Sequence, residues 1–212
     1  MLDTERMARA AWTRALAEHG YQLDDRSYLN IVGRTVRDAE SVLIDLFGVD
    51  LPFKKVFEQR QAFYEADIET NGIPVKAGLI DLLDFLEANH ITKAVASSTP
   101  RWFALHKLER VGIRTRFDVL VCGDEVPHGK PAPDLFVEAA RQIGYPARLC
   151  VALEDSEAGI MAAHQAGALP IMIPDLKPAT PEIAGLAYGV YSSLSEVIPV
   201  LDGFLTEGLP VL

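Results

Sequence analysis

From Gly78 onward, short continuous apolar runs alternate with helical patterns, and this alternation constrains the fold more than any other feature of the chain. The runs cover residues 92–96, 117–122, 149–153, 169–173 and 188–191. Helical periodicity precedes the first of them, over 79–89. It returns after each one, over 101–111, 133–143, 156–166, a short stretch from Pro181, and 194–204. Runs of this length that are apolar throughout, instead of alternating with polar residues, suit strands covered on both faces. The expected fold is therefore α/β, a doubly wound parallel sheet built from βαβ units.

Up to Gly72 the rhythm is different and purely helical. The spacing predicts helices over 4–19, 35–47 and 52–70, stopped by Gly20, Gly48 and Asn71-Gly72, with an Asp3-Thr4 capping pair at the first start. The division falls near residue 75: a helical domain over 4–74 and the α/β domain over 75–212, ending in a frayed tail from about residue 206.

With 212 residues, 49% of them apolar, the chain can bury a proper core. Its net charge of −10 argues against a nucleic-acid partner, because no basic surplus exists to neutralise phosphates along a duplex. A small phosphorylated metabolite is still compatible, given a metal ion and a local lysine. No apolar run approaches the roughly 20 residues of a membrane span, and no signal-peptide pattern opens the chain. Cys122 and Cys150 read as reduced thiols. These features predict a cytoplasmic protein, a monomer or small homo-oligomer.

Three strand ends carry polar groups where ligands bind in open α/β sheets. Ser97, Ser98 and Thr99 follow the first run, at a helix N-terminus suited to an oxyanion; capping is the competing explanation. Asp124 to Lys130 follow the second, with Lys130 stiffened by Pro131 and Pro133; alone, a Lys-Pro pair would read as a solvated loop. Glu154 and Asp155 end the third. Capping by Asp155 or Ser156 explains one acidic residue but not two in a row. Paired carboxylates at a buried strand end call for a cation, and hard oxygen ligands suit Mg²⁺. Of the five histidines, His128 shares the lysine loop, while His19, His90, His106 and His164 read as helix ends or exposed helix positions.

Taken in order, Ala96-Ser97-Ser98, Gly129-Lys130-Pro131-Ala132-Pro133-Asp134 and Leu153-Glu154-Asp155-Ser156-x-Ala158-Gly159 resemble the second, third and fourth motifs of the haloacid dehalogenase-like (HAD) superfamily. The branch most resembled holds β-phosphoglucomutase, phosphoglycolate phosphatase and sugar-phosphate phosphatases. The resemblance implies a Rossmann-like HAD core with an inserted helical cap. It implies a phosphatase acting through an aspartyl-phosphate, with Ser97 holding phosphate, Lys130 bridging phosphate and nucleophile, and Asp155 holding Mg²⁺ with support from Glu154. The first motif, which supplies the nucleophile on the central strand, is matched only at its end, by Met1-Leu2-Asp3-Thr4-Glu5. That strand is expected upstream of Met1, and the chain as given is expected to be inactive. The histidine of the mutases aligns with Ala8 and their cap arginine with Val36, with Arg34 and Arg37 nearby but unmatched. Weight shifts from a hexose-phosphate mutase to a phosphatase; a catalytically dead phosphate-binding protein is the alternative from another class.

Overall fold

The structure is a computed structural model that describes residues 1–32 and 36–210, with Arg37 and Asp38 described by backbone alone. Its residues cluster into two compact units, Leu2–Pro74 and Val75–Leu212 together with Met1.

The first unit is helical: α1 (Glu5–Glu18), α2 (Asp25–Tyr28), α3 (Val36–Phe47) and α4 (Phe53–Asn71). Its core forms because Met7, Ala8, Ala11, Trp12, Ala15 and Leu16 fall on one stripe of α1 and are all buried. That stripe packs on α4, where Phe53, Val56, Tyr64 and Ile68 are buried. The Trp12 ring lies 6.0 Å from Phe53, and the Arg60 guanidinium sits 4.8 Å over Tyr64. The expected Asp3-Thr4 capping pair does not form. Thr4 is the N-cap residue but makes no side-chain cap, because its hydroxyl bonds the Tyr64 phenol. Helix α2 was not anticipated; it is one turn, capped by Asp24, whose Oδ1 accepts from the Ser27 N–H at 2.7 Å.

The second unit runs α5 (Leu79–Ala88), β1 (Ala94–Ser97), α6 (Arg101–Arg110), β2 (Val119–Cys122), α7 (Asp134–Ile143), β3 (Val151–Glu154), α8 (Glu157–Gln165), β4 (Leu169–Met172), α9 (Pro181–Leu186), β5 (Gly189–Val190) and α10 (Ile198–Glu207). All strand pairs are parallel, as the apolar runs predict. Pro133 was expected inside its helix and stands instead as the N-cap residue of α7. Strand β5 is only two residues long. The neighbouring Pro170 of β4 has no N–H to donate, and its carbonyl takes the Tyr188 N–H at 2.8 Å.

Hydrogen bonding divides the strands into two ladders, β1–β2 and β3–β4–β5. Among the described residues, β1 and β3 each pair on one side only, so one edge of each is left open. Both strands are correspondingly half-buried, whereas β4, between two neighbours, is buried throughout. Helix α7 covers β1 and β2 with Leu135 and Ala139 against Val121. Ala152, Ala163 and Ala168 with Phe136 close the space between α8 and the second ladder. Lys76 and Asp175 form a 3.0 Å ion pair whose side chains are only 12% and 13% exposed, tying the start of this unit to the loop after β4.

Gly78 opens α5 with a φ of +81°, and a Cβ there would overlap the backbone and side chain of Ser195. Gly78→Ala therefore combines left-handed backbone strain with a steric clash against main chain. It is expected to cost at least about 2 kcal/mol of stability, read as a lowered urea midpoint.

Candidate active site

The carboxyl ends of β1, β2 and β3 bring the sequence-singled groups within one unit. Ser97 is the last residue of β1, and its Oγ accepts the Thr99 N–H at 3.1 Å, folding the Ser97-Ser98-Thr99 turn on itself. Helix α6 follows with Pro100 as its N-cap residue and no side-chain cap. Capping is thus not what these hydroxyls do. Gly123, just after β2, presses on the same turn: a Cβ there would stand 2.6 Å from the Ser98 carbonyl oxygen.

Lys130 is not a solvated loop lysine. Its side chain is 11% exposed; the ammonium donates to the Ala96 carbonyl at 3.1 Å and to Glu154 Oε1, and lies 4.9 Å over the Phe136 ring. One cation therefore spans the end of β1 and the end of β3. Glu154 is 9% exposed, so each charge is buried only because the other compensates it. Removing either partner of such a pair typically costs about 3–5 kcal/mol.

The second Glu154 oxygen is also occupied. Oε2 accepts from the Ser156 hydroxyl at 3.2 Å, while Ser156 Oγ accepts the Gly159 N–H at 3.0 Å as the N-cap of α8. A Cβ at Gly159 would overlap the Glu154 carboxylate, so the glycine is what lets the acid lie flat on the first turn of α8. Both Glu154 oxygens are thus engaged, one by the Lys130 ammonium and the other by the Ser156 hydroxyl. Asp155 is half-buried, and among the described residues its carboxylate has no hydrogen-bond or ion-pair partner.

Sequence reasoning did not single out Lys76, Asp175 or Arg101. Arg101 Nη1 donates to the Leu120 carbonyl and to both Glu125 oxygens, each at 2.9 Å. Cys122, Asp124 and Glu125 offer ligand atoms within 4.8 Å of one another, but both carboxylates already serve as acceptors. Burial, then the nearby Glu125, pushes the Cys122 thiol up to about 11, so it stays protonated at neutral pH. His128 is exposed, with Nδ1 3.1 Å from Asp134 at the start of α7. In the helical unit Ala8 is buried and Val36 is exposed; Arg34 and the Arg37 side chain lie outside the described residues.

Comparison with known proteins places this geometry. Residues 1–167 match the model of the haloacid dehalogenase-like hydrolases. The chain is 31% identical over 214 residues to the bifunctional riboflavin kinase/FMN phosphatase of Arabidopsis thaliana, covering 99% of this chain but 54% of that protein, so it spans about half of that relative's length. It is 31% identical over 176 residues to the fructose-1-phosphate phosphatase YqaB of Escherichia coli, covering 79% of this chain and 87% of that one. Among solved structures, CbbY from Rhodobacter sphaeroides in complex with phosphate superposes with a TM-score of 0.77 at 27% identity, over 93% of this chain and 91% of the other. The chain belongs to the haloacid dehalogenase-like hydrolase family, and it has the α/β fold of that family's phosphatases.

Proposed function

We propose that this protein is a Mg²⁺-dependent phosphatase that hydrolyses a small phosphomonoester, of the sugar-phosphate or phosphoglycolate type, through an aspartyl-phosphate. The observation that carries the reading is Lys130, a largely buried cation held at the ends of both ladders by Ala96 and Glu154. Relatives named for FMN and fructose-1-phosphate phosphatase activity support the phosphomonoester class.

In this reading the Ser97-Ser98-Thr99 turn receives the phosphoryl oxygens with hydroxyl and backbone N–H donors. Lys130 would bridge the phosphoryl group and the attacking carboxylate and offset the charge of both. The attacking oxygen bonds to phosphorus as the ester P–O bond breaks, and the alcohol leaves with a proton from the second aspartate of the Asp-x-Asp segment. That aspartate then takes a proton from water, which attacks phosphorus and releases inorganic phosphate and the nucleophile's carboxylate. The donor set fits a hard divalent ion: just past the end of β3, Asp155 offers carboxylate oxygens with no hydrogen-bond partner among the described residues, beside a Glu154 that accepts from Lys130. When bound there, Mg²⁺ would neutralise charge on the phosphoryl oxygens. The nucleophile is assigned to an aspartate on a strand seated between the open edges of β1 and β3, next to Lys130. Asp3 is not a candidate, since it lies in the helical unit and its Oδ2 faces Arg6 at 3.9 Å. Buried Ala8, where the mutases carry histidine, favours phosphatase over hexose-phosphate mutase.

Holding a nucleophile in line with phosphorus is worth on the order of 7–11 kcal/mol. Residues 1–212 alone are therefore expected to release phosphate from an aryl phosphate negligibly. The same chain extended by a strand bearing Asp-x-Asp-Gly should do so in a Mg²⁺-dependent way, measured as inorganic phosphate released. Equal rates for the two forms would place the nucleophile within residues 1–212; inactivity of both would leave a phosphate-binding protein without catalysis.

In the active form, Asp155→Ala is expected to abolish most turnover, and Lys130→Met to lower kcat/KM about 100-fold or more. Gly159→Ala should lower it too, by displacing Glu154. Turnover that survives excess chelator undiminished would refute the metal assignment.

A further inference from the structure

We infer that Arg101 is a positioning residue for the phosphate site: it locks the Ser97-Ser98-Thr99 turn and the Lys130 loop into one block without touching the ligand itself. The inference rests on the functional reading above and adds to it a residue that acts at a distance.

Arg101 begins α6, four positions after Ser97. Its backbone N–H donates to Asp124 Oδ1 at 2.9 Å, so the first turn of α6 is pinned to the segment after β2. Its Nη1 reaches the Leu120 carbonyl inside β2 and both Glu125 oxygens, each at 2.9 Å. Glu125 Oε2 in turn accepts the Cys122 N–H at 2.8 Å, closing the turn Gly123–Glu125 on the strand that precedes it. At the centre of this frame Gly123 abuts the Ser98 carbonyl with no room for a Cβ. The same segment continues to Lys130. A shift of Gly123–Glu125 therefore moves the serine turn and the lysine loop relative to each other.

Magnitude separates this role from plain stabilisation. The Arg101 and Glu125 side chains are 41% and 36% exposed, and ion pairs that wet contribute little to stability. Four directed bonds from one residue to three points of β2 and its turn do fix geometry, and displacements of about 1 Å at a phosphate site are costly. Arg116 provides an internal control. It makes a comparable fork to Asp84 and Glu87, but ahead of β2, at the other end of the strand.

The test uses the full chain in its catalytically active form and two readouts: the inhibition constant of inorganic phosphate, and kcat and KM for an aryl phosphate. Arg101→Ala should raise the phosphate constant and KM at least tenfold, with a smaller change in kcat. Arg101→Lys should recover part of the loss, and Arg101→Ala/Glu125→Ala should be no worse than Arg101→Ala. Arg116→Ala should leave the phosphate constant unchanged. Should Arg101→Ala fail to melt cooperatively, Arg101→Lys and Glu125→Gln carry the comparison. A wild-type protein that neither binds phosphate nor turns over overturns the functional reading, and this inference with it. A wild-type protein that does both, with Arg101 variants of equal phosphate affinity, or with Arg116→Ala equally impaired, overturns this inference alone.

Discussion

The ion pair between Lys130 and Glu154 joins two ladders that share no backbone hydrogen bond among the described residues. Everything nearby is arranged so that this pair can be dry. Phe136 offers its ring to the ammonium, the Ala96 carbonyl takes a second proton, Ser156 satisfies the remaining carboxylate oxygen, and Gly159 leaves the space. A buried pair of this kind contributes less to net stability than its Coulomb attraction suggests, because both ions give up their water. Its value lies in fixing where a positive charge stands. The ammonium is anchored to the end of β1 and the end of β3 simultaneously, which no flexible surface lysine achieves.

The fold was largely legible because burial on both faces leaves a strand little choice of side chains. The apolar run over 92–96 became β1 at Ala94–Ser97, and that over 169–173 became β4 at Leu169–Met172, with shifts of one or two residues. Helix ends marked by glycine fell close to where they were expected. What sequence could not supply were pairings between residues far apart with no periodic relation. Arg101 and Glu125 are 24 positions apart, as are Lys130 and Glu154, and nothing local announces either partnership. Adjacent Glu154 and Asp155 look equivalent in a string of letters. The fold separates them: the carboxylate of Glu154, the last residue of β3, packs against Gly159 in the first turn of α8 and accepts from Lys130, while among the described residues the Asp155 carboxylate has no hydrogen-bond partner. The one-turn helix α2 carried a signal in Asp24 and Ser27, but four residues are too few for a period to emerge.

Similarity to phosphatases of carbohydrate and flavin phosphates is compatible with this division of labour. Ser97, Lys130, Glu154 and Asp155 all lie in the α/β unit. The helical unit, built on the α1–α4 contact, shares none of these strand ends.

The net charge of −10 gives the Lys130 arrangement a kinetic meaning. At long range the protein's field repels any anion, and the lysine, already compensated by Glu154, does little to reverse it. Attraction begins only within about a Debye length, some 8 Å at physiological ionic strength, where the local donors dominate. Enzymes with a positive funnel capture anions fastest in dilute buffer. On the proposed reading, salt would screen this repulsion, so a phosphate ester would reach the site faster as ionic strength rises from low values.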